Sequence, residues 1–132
     1  MRSFILIAIC CVLLGCSRSV LPPAQTLVST SEAALRSLVL SNAPLGMTQA
    51  DVEMMLADSF RRQWRLIDYE SRELVSQRGF SVVVTSGDYY LASDLAVVRR
   101  DIASSDVVTV YFLFGPARQL KDIAVRKWTD SI

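Results

Sequence analysis

The spacing of apolar positions changes along the chain, and each change marks an expected element. Phe4–Leu14 is an unbroken apolar run behind Met1-Arg2-Ser3, and Gly15 closes it. Ser17–Thr30 has no clear period and carries Pro22-Pro23, which stiffen a stretch towards polyproline II geometry. From Ser31 the period becomes helical: Ala34, Leu35, Leu38 and Val39 form one stripe. Thr30 or Ser31 suits the cap, Glu32 suits the positive end of the dipole, and Asn42 and Pro44 mark the stop near Ser41. A second helix is signed by Thr48 three residues before Asp51, a variant capping box. Val52, Met55, Leu56, Ser59 and Phe60 recur at helical spacing, which carries this helix to Arg61 or Arg62. Met47 precedes the cap as a staple, and Met54 and Met55 read as rim and core.

Beyond Trp64 the period shifts towards two. Residues 64–69 form a short candidate strand, and residues 78–86 a clear one, rich in valine and closed by Ser86-Gly87-Asp88. Tyr89–Asp101 is ambiguous, because Tyr89-Tyr90-Leu91 favours a strand while Ser93-Asp94-Leu95-Ala96 suits a helical turn. Val107–Phe114 is a strand of β-branched and aromatic residues, and Gly115–Gln119 is a turn of hairpin length. Leu120–Trp128 returns as its partner. Alternation puts Val108, Val110, Phe112 and Phe114 on the core face with Ile123 and Val125, and Ala124, Arg126 and Trp128 opposite. The expected fold is α+β, with two N-terminal helices packed on a three- to four-stranded antiparallel sheet as a two-layer sandwich.

The opening run has the order of a secretory signal: a positive start, an apolar stretch and a small residue. It is shorter than the roughly 20 apolar residues that cross a bilayer. Leu13-Leu14-Gly15-Cys16 resembles the bacterial lipobox. The resemblance implies cleavage before Cys16 and acylation of that cysteine. Each buried methylene contributes about 0.8 kcal/mol, so two or three acyl chains anchor stably. Ser17, rather than Asp, follows the cysteine; in a Gram-negative source that resembles an outer-membrane sorting signal for a periplasm-facing lipoprotein. The expected organisation is a signal peptide at 1–15, a lipidated tether at 16–30 and one α+β domain at 31–132.

Composition narrows the chemistry. The full chain carries a formal charge of +1, and Arg2 leaves with the signal, so the remainder is neutral. A neutral domain lacks the electrostatic footprint for nucleic acid, and no strongly polybasic membrane patch is legible. Cys10 and Cys11 sit in the apolar run, so Cys16 is the one cysteine left after cleavage and no intramolecular disulfide is expected. The chain has no histidine, which removes the usual general base near neutral pH and the commonest metal ligand. Asp51, Glu53 and Asp58 fall on a helix surface, while Asp68, Glu70 and Glu73 share a stretch with Arg65, Arg72 and Arg78. These read as solvated, salt-bridged faces. Lys121 and Lys127 stand in no Ser–Lys motif, and Gly79, Gly87 and Gly115 are isolated turn glycines. No catalytic residue, metal site or cofactor is expected.

Aromatic and arginine residues are enriched in protein interfaces. Tyr89, Tyr90, Tyr111 and Trp128, with Arg99 and Arg100, are therefore the candidate partner-binding residues. The competing reading is an outer sheet face covered by the tether or by residues 87–105. Leu45-Gly46-Met47-Thr48, followed by Val52 and Leu56, resembles the opening helix of the SmpA/OmlA family of small outer-membrane assembly lipoproteins. Tyr111–Lys127 is similar to that family's last hairpin. The likeness covers roughly residues 44–128, and this chain departs from it where Leu56-Ala57-Asp58-Ser59 continues as helix. It implies a non-enzymatic, lipid-anchored envelope protein with an interaction or assembly role. Inhibitors of the β-lactamase-inhibitor type share the layout, so the alternative is an inhibitor or protective factor binding an envelope or foreign hydrolase.

Overall fold

The computed structural model describes residues 20–67 and 79–131. Cys16 lies outside the described residues, as do the end of the expected 64–69 strand and the start of the expected 78–86 strand. Among the described residues three helices precede most of the sheet, one more than the sequence pattern predicts.

The additional helix is α1, Ala24–Ser29, inside the stretch expected as tether. Proline suits a helix entrance, where its fixed φ is helical and its missing N–H is not needed. Pro23 stands there as the cap, and its carbonyl accepts the Leu27 N–H at 3.1 Å. Leu27 is fully buried and Leu21 nearly so. Residues 20–30 are thus part of the packed unit.

Helix α2 spans Glu32–Asn42, with Ser31 Oγ accepting the Ala34 N–H at 3.2 Å. Leu35 and Val39 are buried, Leu38 is half-buried and Ala34 is exposed, so the buried stripe is narrower than expected. Asn42 remains helical, its Nδ2 donating to the Leu38 carbonyl, and Ala43 ends the helix with φ −134°. Helix α3 spans Gln49–Met55, and Thr48 Oγ1 accepts the Asp51 N–H at 3.2 Å. It continues as a π turn, Leu56–Phe60, and stops at Arg61 in the left-handed region (φ 55°). Arg62 closes this end by donating to the Phe60, Arg61 and Leu95 carbonyls.

The sheet is an antiparallel meander in the order β1 (Arg65–Ile67), β2 (Tyr89–Arg99), β3 (Ser104–Phe114), β4 (Leu120–Ser131). The ambiguous segment is therefore strand. A bulge between Asp94 and Ala96 breaks its alternation, and Leu95 and Ala96 both join the core. Leu27, Leu35, Val39, Val52, Leu56 and Phe60 of the helical segments share one apolar cluster with the inner sheet face. On that face lie Val108, Val110, Phe112, Phe114, Ile123 and Val125, as alternation predicts.

The described part of the expected 78–86 strand is not a strand. Residues 79–88 run as bends and a turn, with Val82 and Val83 exposed. The segment lies over the outer sheet face, where Phe80 and Val84 pack against Tyr90, Ala92, Tyr111, Leu113 and Ala124. A carboxylate replaces a ladder partner: the Ser81 N–H donates to Asp122 Oδ2 at 2.7 Å. Phe80 and Val84 thus cover a sheet face instead of extending an edge.

Candidate interaction surface

The outer sheet face divides into a covered and an open half. Tyr90 (2% exposed) and Tyr111 (6%) meet edge to face, with centroids 5.8 Å apart, beneath Phe80 and Val84. They are core residues of a second small cluster and leave the set of accessible aromatics. Tyr89 points to the other face. It stacks on Phe114 with centroids 5.4 Å apart and donates its hydroxyl to Gln49 Oε1 at 2.5 Å. Burial raises its pKa above the ordinary value, the Arg118 charge opposing this.

Trp128 stands on the open half and is 43% exposed. Its indole is nevertheless fixed: Nε1 donates to Thr109 Oγ1 at 2.9 Å, and Thr109 Oγ1 donates to Asp94 Oδ1 at 2.7 Å. Arg65 reaches the other Asp94 oxygen at 3.8 Å. This chain crosses all four strands, because Arg65, Asp94, Thr109 and Trp128 lie on β1, β2, β3 and β4. Arg99 and Arg100 are exposed at the β2–β3 turn, where Arg99 Nε donates to the Asp101 carbonyl and Arg100 pairs with Asp106 at 3.5 Å. The six expected residues therefore occupy both faces and do not form one site. Trp128, with Arg126 and Asp130 beside it on the outer face of β4, is the accessible group.

β4 is also an edge strand, and two elements, the Gly46–Met47 segment and α2, guard it between Leu120 and Lys127. Gly46 N–H donates to the Leu120 carbonyl and Leu120 N–H to the Met47 carbonyl, both at 2.8 Å. Arg36 Nε donates to the Ile123 carbonyl at 3.0 Å, and the Lys127 N–H donates to Glu32 Oε1 at 2.9 Å. Arg36 also pairs with buried Asp122 at 2.7 Å. Since Asp122 holds the Ser81 N–H as well, it ties α2 to the outer covering segment around this edge.

The opposite, β1 side carries a group that sequence reasoning did not single out. Arg61, Arg62, Gln63, Trp64, Arg65 and Asp94 line an open concavity of about 510 Å³. The Val20 N–H donates to the Ser59 carbonyl at 3.0 Å, bringing the first described residue to this corner. The Arg61–Arg65 run is visible in the sequence, but its place beside the chain's entry is not.

One buried ion pair completes the polar inventory. Asp88 (1% exposed) accepts Lys121 Nζ at 2.6 Å, and Thr85 donates to it through its N–H at 2.8 Å and its hydroxyl at 3.1 Å. Burial pushes the carboxyl pKa up, but the Lys121 and Thr85 donors outweigh it and hold the pKa below the ordinary value. This pair fastens the 85–88 turn to β4, close to Gly115, where a side chain would crowd Lys121 Cδ at 3.1 Å. Among the described residues no three His, Cys, Asp or Glu side chains come together as a metal site. Comparison with family models, curated proteins and solved structures finds no match to this chain.

Proposed function

We propose that the chain is a non-enzymatic, lipid-anchored envelope protein that binds a protein partner through the outer half of β4. The observation carrying this reading is Trp128, an exposed aromatic held in one orientation by the Thr109–Asp94 chain. An aromatic ordered before binding loses little entropy on contact, which is how such residues come to dominate interfaces. The polar residues around it give specificity without requiring any chemistry of their own. Acylation at Cys16 supplies the membrane attachment, and Ser17 after it favours the outer membrane of a Gram-negative cell. The likeness to small outer-membrane assembly lipoproteins supports the same class of role.

Both halves of the proposal are open to direct test on the full chain in a Gram-negative host. Labelled palmitate should enter the wild-type chain and be lost in Cys16→Ala; persistent labelling would sink the anchoring half. Cross-linking in intact envelopes should yield a specific adduct that weakens in Trp128→Ala. An adduct pattern indifferent to Trp128→Ala, with the variant folded by circular dichroism, would remove β4 as the contact.

A further inference from the structure

From the hydrogen-bonding parity and charge order of β4, we infer that residues 125–131 pair with β4 of a second copy, antiparallel about a two-fold axis at Trp128. The inference rests on reading β4 as an interaction surface, and it names the occupant. The Ile123 carbonyl and the Lys127 N–H both meet α2 side chains, so these two positions direct their backbone groups away from β3. Alternation along a strand gives residues 125, 129 and 131 the same outward direction. In an antiparallel pair, two outward residues must stand opposite each other to exchange their bonds. With the axis at Trp128, residue 125 meets 131 of the other copy and 127 meets 129. Every outward position of 125–131 then has an outward partner.

Side-chain order selects this register over its neighbours. Arg126, Trp128 and Asp130 follow one another on the outer face. The axis at Trp128 sets each Arg126 opposite Asp130 of the other copy and the two Trp128 residues opposite each other between these ion pairs, each indole still held over its own sheet by Thr109. Moving the axis to Lys127 or Arg126 opposes like charges, which destabilises a cross-strand pair. Moving it to Thr129 leaves Arg126 opposite residue 132 and Trp128 opposite Asp130. The sequence Arg-x-Trp-x-Asp is thus complementary to its own reverse. Arg126, Asp130 and Trp128 are exposed, so the pairing surface is accessible. Exposed Glu32 must release the Lys127 N–H for the pairing to form, and it therefore acts as a guard of the edge.

A cysteine at the axis reports the register. Opposed residues of the non-hydrogen-bonded kind lie about 4.5 Å apart at Cα, within disulfide range. Two Asp130 positions would be about 14 Å apart in the same register, which is outside it. The full chain is produced in a Gram-negative host, solubilised in detergent and treated with a mild oxidant, with the native chain as the background for Cys10, Cys11 and Cys16. Trp128→Cys should give a covalent dimer and Asp130→Cys none. Adding Arg126→Asp to Trp128→Cys should cut the dimer about tenfold or more. Adding Asp130→Arg as well should restore it, and Glu32→Ala should raise the yield.

A dimer that persists unchanged in Arg126→Asp would overturn the register. No dimer from folded Trp128→Cys would overturn self-pairing. Partner capture then separates the two readings: an adduct with another envelope protein that depends on Arg126 keeps β4 as a binding surface, and loss of both removes it. Palmitate labelling of the same samples reports anchoring independently of either result.

Discussion

Asp88 is the residue whose surroundings matter most for its size. Its carboxyl is buried, and among the described residues Oδ1 has no hydrogen-bond partner while Oδ2 carries Lys121 and Thr85. A buried charge that loses its counter-ion is costly, commonly 3–5 kcal/mol for a fully enclosed pair. Lys121 is about one third exposed, so Lys121→Met is expected to cost about 2 kcal/mol. The folded carboxyl has a lowered pKa, so its stabilisation is complete above the unfolded value and is lost as pH falls through the folded one. That places the loss below the ordinary value of 3.8. Asp88→Asn should therefore destabilise at pH 7, by about 1 kcal/mol, and much less at pH 3. Urea midpoints at the two pH values measure it; an equal deficit at both would mean that the charge on Asp88 contributes nothing.

At the scale of elements, the least expected is α1, and its worth can be measured. Leu27, in the stretch expected as tether, is fully buried in the structure, where it joins the main core. Leu27→Ala should cost about 3 kcal/mol of stability, read from the urea midpoint of the full chain. A neutral result would return residues 24–29 to the linker. The helix was hard to read because six residues are too few to establish a period, and Pro22-Pro23 pulled the reading towards extended chain. By contrast, Ser31 and Thr48 announced α2 and α3 through cap chemistry that acts within three residues. β3 was legible from its run of β-branched and aromatic residues, and β4 from the alternation that pairs with it across a short turn. β2 was not, since its bulge sets Leu95 and Ala96 on the same core and destroys the alternation. Residues 79–86 misled for a different reason: a run of valines reads as strand, yet here Val84 packs on the sheet face with Phe80 while Val82 and Val83 stay exposed. The candidate site was legible only at Trp128. Accessibility of Tyr90 and Tyr111 depended on that covering segment, which local sequence does not place.

The whole molecule gains a direction if Cys16 is acylated. Val20 is four steps along the chain from Cys16, and an extended chain spans at most about 3.6 Å per step, so Val20 lies within about 14 Å of the lipidated cysteine. Val20 is bonded to Ser59, beside Arg61, half-buried Trp64 and Arg65. This corner must then sit close to the headgroups, where arginine meets lipid phosphate and tryptophan suits the interface. β4 is the opposite edge of the sheet, three strand spacings or roughly 14 Å further away. The anchor would hold one edge at the membrane and present the other to a partner. The two tryptophans make the orientation measurable, because Trp64 marks the β1 side and Trp128 the β4 edge. The lipidated full chain, placed in vesicles of bromine-labelled anionic phospholipid, should lose most of its Trp64 emission when studied as Trp128→Phe. The complementary Trp64→Phe chain should keep most of its Trp128 emission. Equal quenching of both would mean that the domain has no fixed orientation, and stronger quenching of Trp128 would place β4, with its Arg-x-Trp-x-Asp order, against lipid instead of protein.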